Sequence, residues 1–134
     1  MKKIYYFIPS LIMMSVIFLF SCQTGTESSQ LSSGFLTVVL DIFPFPISEF
    51  VLRKIAHMCE YAILTYTFYY GFRHTSSKPL SKALLCSFLY ACSDEAHQLF
   101  TLGRSGQIID VVIDTCGSLI TLFIIKIYHY IKKR

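Results

Sequence analysis

Charge is scarce in this sequence. Only 15% of its 134 residues are Asp, Glu, Lys or Arg, against about a quarter in an ordinary soluble domain. Hydrophobic residues make up 54%, mean hydropathy is +0.55, and the apolar residues fall in runs. That argues against a soluble domain and for a membrane one. There is no zinc-finger spacing, no P-loop and no basic recognition helix, so the net charge of +4 does not indicate a nucleic-acid partner. No CxxC pair occurs among the five cysteines, whose count is odd. Four of them lie in apolar runs, where Cys behaves as a small hydrophobe, so neither a disulfide framework nor a zinc site is expected. Internal repeats and low-complexity tracts are also missing. The length suits a single domain, 1–134.

What the chain does have is four apolar stretches, near 4–20, 55–72, 83–100 and 108–131. The first follows a short basic start. It has the shape of a signal peptide, and Leu19-Phe20-Ser21-Cys22 loosely resembles a lipoprotein cleavage box with an awkward Phe. A retained transmembrane helix is the preferred reading, because three more spans follow. Residues 21–34 are polar and read as a loop. Residues 35–50 are apolar and aromatic but broken by Asp41, Pro44 and Pro46, which suits an interfacial or re-entrant segment. The expected fold is therefore all-α, with four transmembrane helices and a tight turn at 101–107.

Lys and Arg placement sets the orientation. With both termini cytoplasmic, nine of the 12 basic residues lie on the cytoplasmic side: Lys2, Lys3, Arg73, Lys78, Lys82, Lys126, Lys132, Lys133 and Arg134. Only Arg53, Lys54 and Arg104 remain outside. The alternating spans then carry His57, Glu60, Asp94, Glu95, His97, Gln98, Asp110 and Asp114 to one level near the outer head groups. Ionisable groups at membrane depth are costly and mark function by default.

His57, Glu60 and Tyr61 stand at i, i+3 and i+4, on one helical face. A His beside a Glu can act as general base or acid; the plainer reading is a polar pair joining two helices. Asp94, His97 and Gln98 repeat that spacing, with Glu95 in reach of Gln98 and His97 the candidate bystander. Poorly solvated neighbouring carboxylates suit proton transfer or cation binding. Gly103-Arg104-Ser105-Gly106 offers backbone N–H groups, a hydroxyl and a guanidinium before a helix, the parts of a phosphate site. Asp110, Asp114, Gly117 and Thr121 form a stripe along which helices can approach closely. Packing accounts for Gly117 and Thr121, but not for two acids.

Taken together, Lys54-x-x-His57-x-x-Glu60-Tyr61, Ser93-Asp94-Glu95-x-x-Gln98, Gly103-Arg104, Asp110 and Gly117 resemble the VanZ-like membrane proteins. Ser21, Gln23, Gly25 and Glu27-Ser28-Ser29 are similar to the polar stretch after that family's first helix, which favours a retained helix. Asp114 departs from the family, where Asn is expected. The resemblance implies a bacterial plasma-membrane, multi-pass protein of four helices. It also implies a link to glycopeptide (teicoplanin) susceptibility, the trait of the family's namesake, and a kinship with enzymes that handle lipid head groups at phosphate esters.

The expected function is action at the outer leaflet on phosphorylated lipid head groups or lipid-linked cell-wall precursors. As an enzyme the protein would be a head-group phosphoesterase or transesterase. His57, Glu60, Asp94, Glu95, Gln98 and Asp110 would be its catalytic set. Lys54, Tyr61, Arg104, Ser105 and Asp114 would bind substrate, and a divalent cation is a possible cofactor held by the carboxylates. A binding or shielding protein without turnover, or a small transporter, are the alternatives.

Overall fold

The computed structural model describes residues 3–42, 47–104 and 106–134. All regular structure in them is helical. A short 3-10 turn, Lys3–Phe7, leads into α1 (Ile8–Ser21), followed by α2 (Gly25–Ile42), α3 (Glu49–Arg73), α4 (Pro79–Gln98) and α5 (Ile108–Lys132).

Local chemistry explains the ends. Pro9 and Pro79 stand in the first turns of α1 and α4, where a missing N–H costs nothing. Ser48 caps α3, its side chain accepting from the Val51 N–H at 3.3 Å. α2 opens on a capping box. The Thr24 N–H donates to the Glu27 carboxylate at 2.9 Å, and the Glu27 N–H donates to the Thr24 hydroxyl at 3.4 Å.

That box corrects the expected loop at 21–34, and the segment expected at 35–50 to be interfacial or re-entrant is helical as far as Ile42. Thr24-x-x-Glu27 satisfies orphan N–H groups at a helix start. From there the helix runs through Gly34 and Phe35 to Ile42, so one helix joins the two stretches. Residues 49 and 50 belong to α3. Pro44 and Pro46 lie outside the described residues.

The interior is more polar than the exterior. Among the described residues, nine hydrophobic residues are buried and eleven polar or charged ones. Thr65 donates to Ser87 at 2.9 Å within it, and Thr121 donates to the Ala62 carbonyl at 3.0 Å. Phe100, Leu102 and Ile108 are more than four-fifths exposed. This is the inverse of a soluble domain and the distribution expected in lipid, where apolar side chains face the acyl chains and polar groups must find partners inside the protein. The Lys3–Ser21 segment and α5 are each long and apolar enough to cross a membrane. The acids and bases on α3 and α4 lower the hydropathy of those helices.

Helix α3 is the hub, packing on α1, α2, α4, α5 and the N-terminal turn. Gly117 of α5 makes its closest approach possible: a Cβ there would lie 2.1 Å from the Met58 carbonyl oxygen. At one end of the bundle, Phe7 packs edge-on to Phe72 at 5.0 Å and Tyr69 bonds His129 at 2.6 Å. The opposite end gathers the C-termini of α1 and α4 with the N-termini of α2, α3 and α5.

Candidate functional site

That opposite end is held together by polar contacts between distant parts of the chain. Ser21, the last residue of α1, donates its hydroxyl to the Asp94 carboxylate on α4. Gln98, one turn further on, donates to Asp94 and to Ser21, each at 3.3 Å. Gln98 therefore pairs with the residue four back, the helical neighbour on its own face, and not with Glu95 as its i+3 spacing allowed. Arg104 closes the network. One of its terminal nitrogens donates to the Gln98 side-chain carbonyl at 3.3 Å, the other to the Phe20 carbonyl at 3.0 Å.

The Arg104 turn is also tied to α2. Gly103 takes a positive φ of 73°, a conformation that suits Gly. The Gly25 N–H donates to the Leu102 carbonyl at 3.1 Å, and a Cβ on Gly25 would lie 2.1 Å from the Gly103 oxygen. Two glycines thus meet face to face. The expectation of free N–H groups in this turn is corrected at Arg104, whose N–H donates to the Thr101 carbonyl. Ser105 lies outside the described residues.

The other acids also have protein partners. Lys54 on α3 pairs with Asp110 on α5. The Glu95 carboxylate accepts from the Gln107 N–H at 2.9 Å, just before α5. Asp94, Glu95 and Asp110 are thus fixed by neighbours. His57 and Glu60 are less constrained. The Nδ1 of His57 lies 3.7 Å from the Glu60 carboxylate, beyond hydrogen-bond range, and has no hydrogen-bond partner. Tyr61 and Asp114 are fully buried. Among the described residues, neither the Tyr61 hydroxyl nor the Asp114 carboxylate has a hydrogen-bond partner. His97 turns aside, its ring 5.0 Å from that of Phe18.

Among the described residues no three His, Cys, Asp or Glu side chains gather to hold a metal ion. The expected divalent cation therefore has no ready donor set, and no step below depends on one.

A cavity of about 550 Å³ opens in this cluster. Lys54, His57, Gln98, Arg104 and Asp110 line it, together with the first turn of α2. Beside it runs a groove of about 290 Å³ between α2 and α3, walled by Leu31, Phe35 and Leu52. Arg53, His57 and Arg104 line both spaces. Burial, and next the charge of Arg53, pull the Arg104 guanidinium below its usual pKa, against the pull of Asp94, Glu95 and Glu60. The two guanidiniums thus line one hollow.

In the sequence Arg53 figures only as one of the three outer basic residues, not as a candidate site residue. Among the described residues it has no hydrogen-bond or ion-pair partner, so it is the guanidinium whose donors are free. Its position one residue before Lys54 was the available signal. Ser21 and the Phe20 carbonyl were also missed, because pairings across more than 70 residues leave no mark in local spacing.

A family model described as VanZ/LLP1 matches residues 6–129, nearly the whole chain. No curated protein and no solved structure matches it significantly.

Proposed function

The chain belongs to the VanZ/LLP1 family, and from that premise we propose that it is a bacterial plasma-membrane protein that binds phosphorylated lipid head groups at the outer leaflet. In this reading α1, α3, α4 and α5 cross the bilayer, both termini are cytoplasmic, and α2 lies along the outer interface.

One observation carries the proposal: Arg53 and Arg104 face the same cavity, which lies at the end of the bundle that the basic-residue bias assigns to the outside. The first turn of α2 lines the same cavity and adds the positive end of a helix dipole. Arg53 supplies the open fork for phosphate oxygens, and Arg104 supplies charge while holding α1 to α4. Lipid head groups and lipid-linked wall precursors both present this phosphate.

His57 and Glu60 are the pair left for chemistry. His57 lines the cavity and is placed to accept a proton from a water or alcohol attacking phosphorus. The phosphoester oxygen then leaves with a proton, giving a phosphomonoester and an alcohol on hydrolysis, or an exchanged head group. Binding without turnover is the second reading. It is favoured by the engagement of Asp94, Glu95 and Asp110 with Ser21, Gln107 and Lys54. An effect on glycopeptide susceptibility follows from either, since both act where such antibiotics meet the cell.

The test is purified protein in lipid nanodiscs with defined phospholipids. Bound lipid is read by native mass spectrometry and products by lipid mass spectrometry. Head-group-selective binding that Arg53→Ala abolishes supports the proposal, and products that vanish with His57→Ala make it an enzyme. Binding indifferent to the phosphate overturns it.

A further inference from the structure

The α2–α3 groove meets the polar cavity along a shared lip of Arg53, His57 and Arg104. The small side chains of Ser28, Ser32 and Ala56 also line it. We infer that this groove seats one acyl chain of a membrane glycerophospholipid whose phosphate occupies the adjoining cavity, an inference that rests on the head-group reading above.

Three features select that occupant. The groove is apolar along its walls and cationic only at the lip it shares with the cavity, so charge and oil meet where a phospholipid's phosphate meets its chain. Its volume is about half that of the cavity, which suits one unbranched chain beside a larger head group. Glu60 lines the groove but not the cavity, while His57 lines both. The pair therefore sits at the junction of head and chain, where the phosphoester bond of such a lipid falls.

The experiment uses the full chain in phosphatidylglycerol nanodiscs carrying a trace of phospholipid with a diazirine in mid-chain. After illumination, labelled peptides are mapped by mass spectrometry. In parallel, binding of soluble glycerol phosphate is followed by phosphorus NMR. Label is expected to concentrate on residues 28–35 and 52–60. Ser32→Trp, which fills the groove, should cut that label about tenfold, as overpacking of that size implies, and leave glycerol phosphate binding intact. If Ser32→Trp does not fold, Ala56→Phe makes the same test from α3. Label spread over the exposed faces of α1 and α5, with glycerol phosphate still bound, overturns the chain slot alone. Equal labelling by a photoactive diacylglycerol, together with loss of glycerol phosphate binding, overturns the head-group reading as well. Preferential labelling by a photoactive polyprenyl phosphate overturns the acyl assignment.

Discussion

Ser21 and Asp94 are hydrogen-bonded across 73 positions of sequence, and both are buried. Their bond joins the end of α1 to the end of α4 and turns the Asp94 carboxylate inward. Ser21→Ala is expected to leave that acid short of a donor and to destabilise the protein by about 1–3 kcal/mol, the usual cost of an unsatisfied buried group. Thermal unfolding in detergent measures it. An unchanged midpoint would remove Ser21 from the framework of the site.

The two guanidiniums should separate by variant. Among the described residues Arg53 has no hydrogen-bond partner, so Arg53→Lys should leave the unfolding temperature alone and weaken lipid phosphate binding by about 1–3 kcal/mol, because Lys has no planar fork. Arg104 bonds both Gln98 and Phe20, so Arg104→Lys should lower stability and binding together. Binding isotherms and melting curves on the same samples decide this. Equal behaviour of the two variants would contradict the division of labour.

Gly117→Ala is expected to destabilise by about 1–3 kcal/mol. The added Cβ would meet the Met58 carbonyl at 2.1 Å, and the two helices must part to admit it. Cys116→Ala, one position away and exposed, is the control and should be near neutral. Chemical denaturation in mixed micelles reads the difference.

Glu27 gives a pH test. Its carboxyl is held below the usual 4.5 by bonds from the Thr24 N–H and then the Thr24 hydroxyl. A depressed carboxylate contributes stability above its unfolded pKa and loses it as pH falls through the folded one. The start of α2 should therefore loosen only below the ordinary carboxylate range. Hydrogen exchange at residues 25–29, corrected for intrinsic rates, should accelerate there, and Glu27→Ala should abolish the pH response.

Orientation is tested by thiol labelling in a cysteine-free background. Gln30→Cys on α2 should react with an impermeant reagent in intact cells, and Lys78→Cys only after permeabilisation. The reverse pattern would invert the bundle and move the cavity to the cytoplasmic side. Ser28 is unsuitable for this purpose because it is buried.

Much of this arrangement was legible in the sequence because it depends on local spacing. The ends of α5 follow from a long apolar stretch set between the glycine turn and the terminal basic residues, and the gathering of His57, Gln98, Arg104 and Asp110 follows from alternating helices. α2 was not legible from hydropathy: its first half is serine-rich, and its helical signal lies in Thr24 and Glu27, two residues within an apparent loop. The roles within the cluster were harder still. Whether Arg104 or Arg53 keeps its donors free depends on where the Phe20 carbonyl falls, and a backbone carbonyl has no signature in side-chain pattern. Asp114 shows the same limit. Its place on the stripe with Gly117 is evident, but the lack of a hydrogen-bond donor to its carboxylate among the described residues emerges only from three-dimensional packing.

The bond from Arg104 to the Phe20 carbonyl spans 84 positions, and this sets an order on biosynthesis. A ribosome adds about 5–20 residues each second, so the end of α1 waits about 4–17 s for the guanidinium that completes it. Until then α1 must be retained by its own apolar length. A chain stalled before residue 104 therefore has the Ser21–Asp94 bond between α1 and α4 but lacks the two Arg104 bonds that close the network.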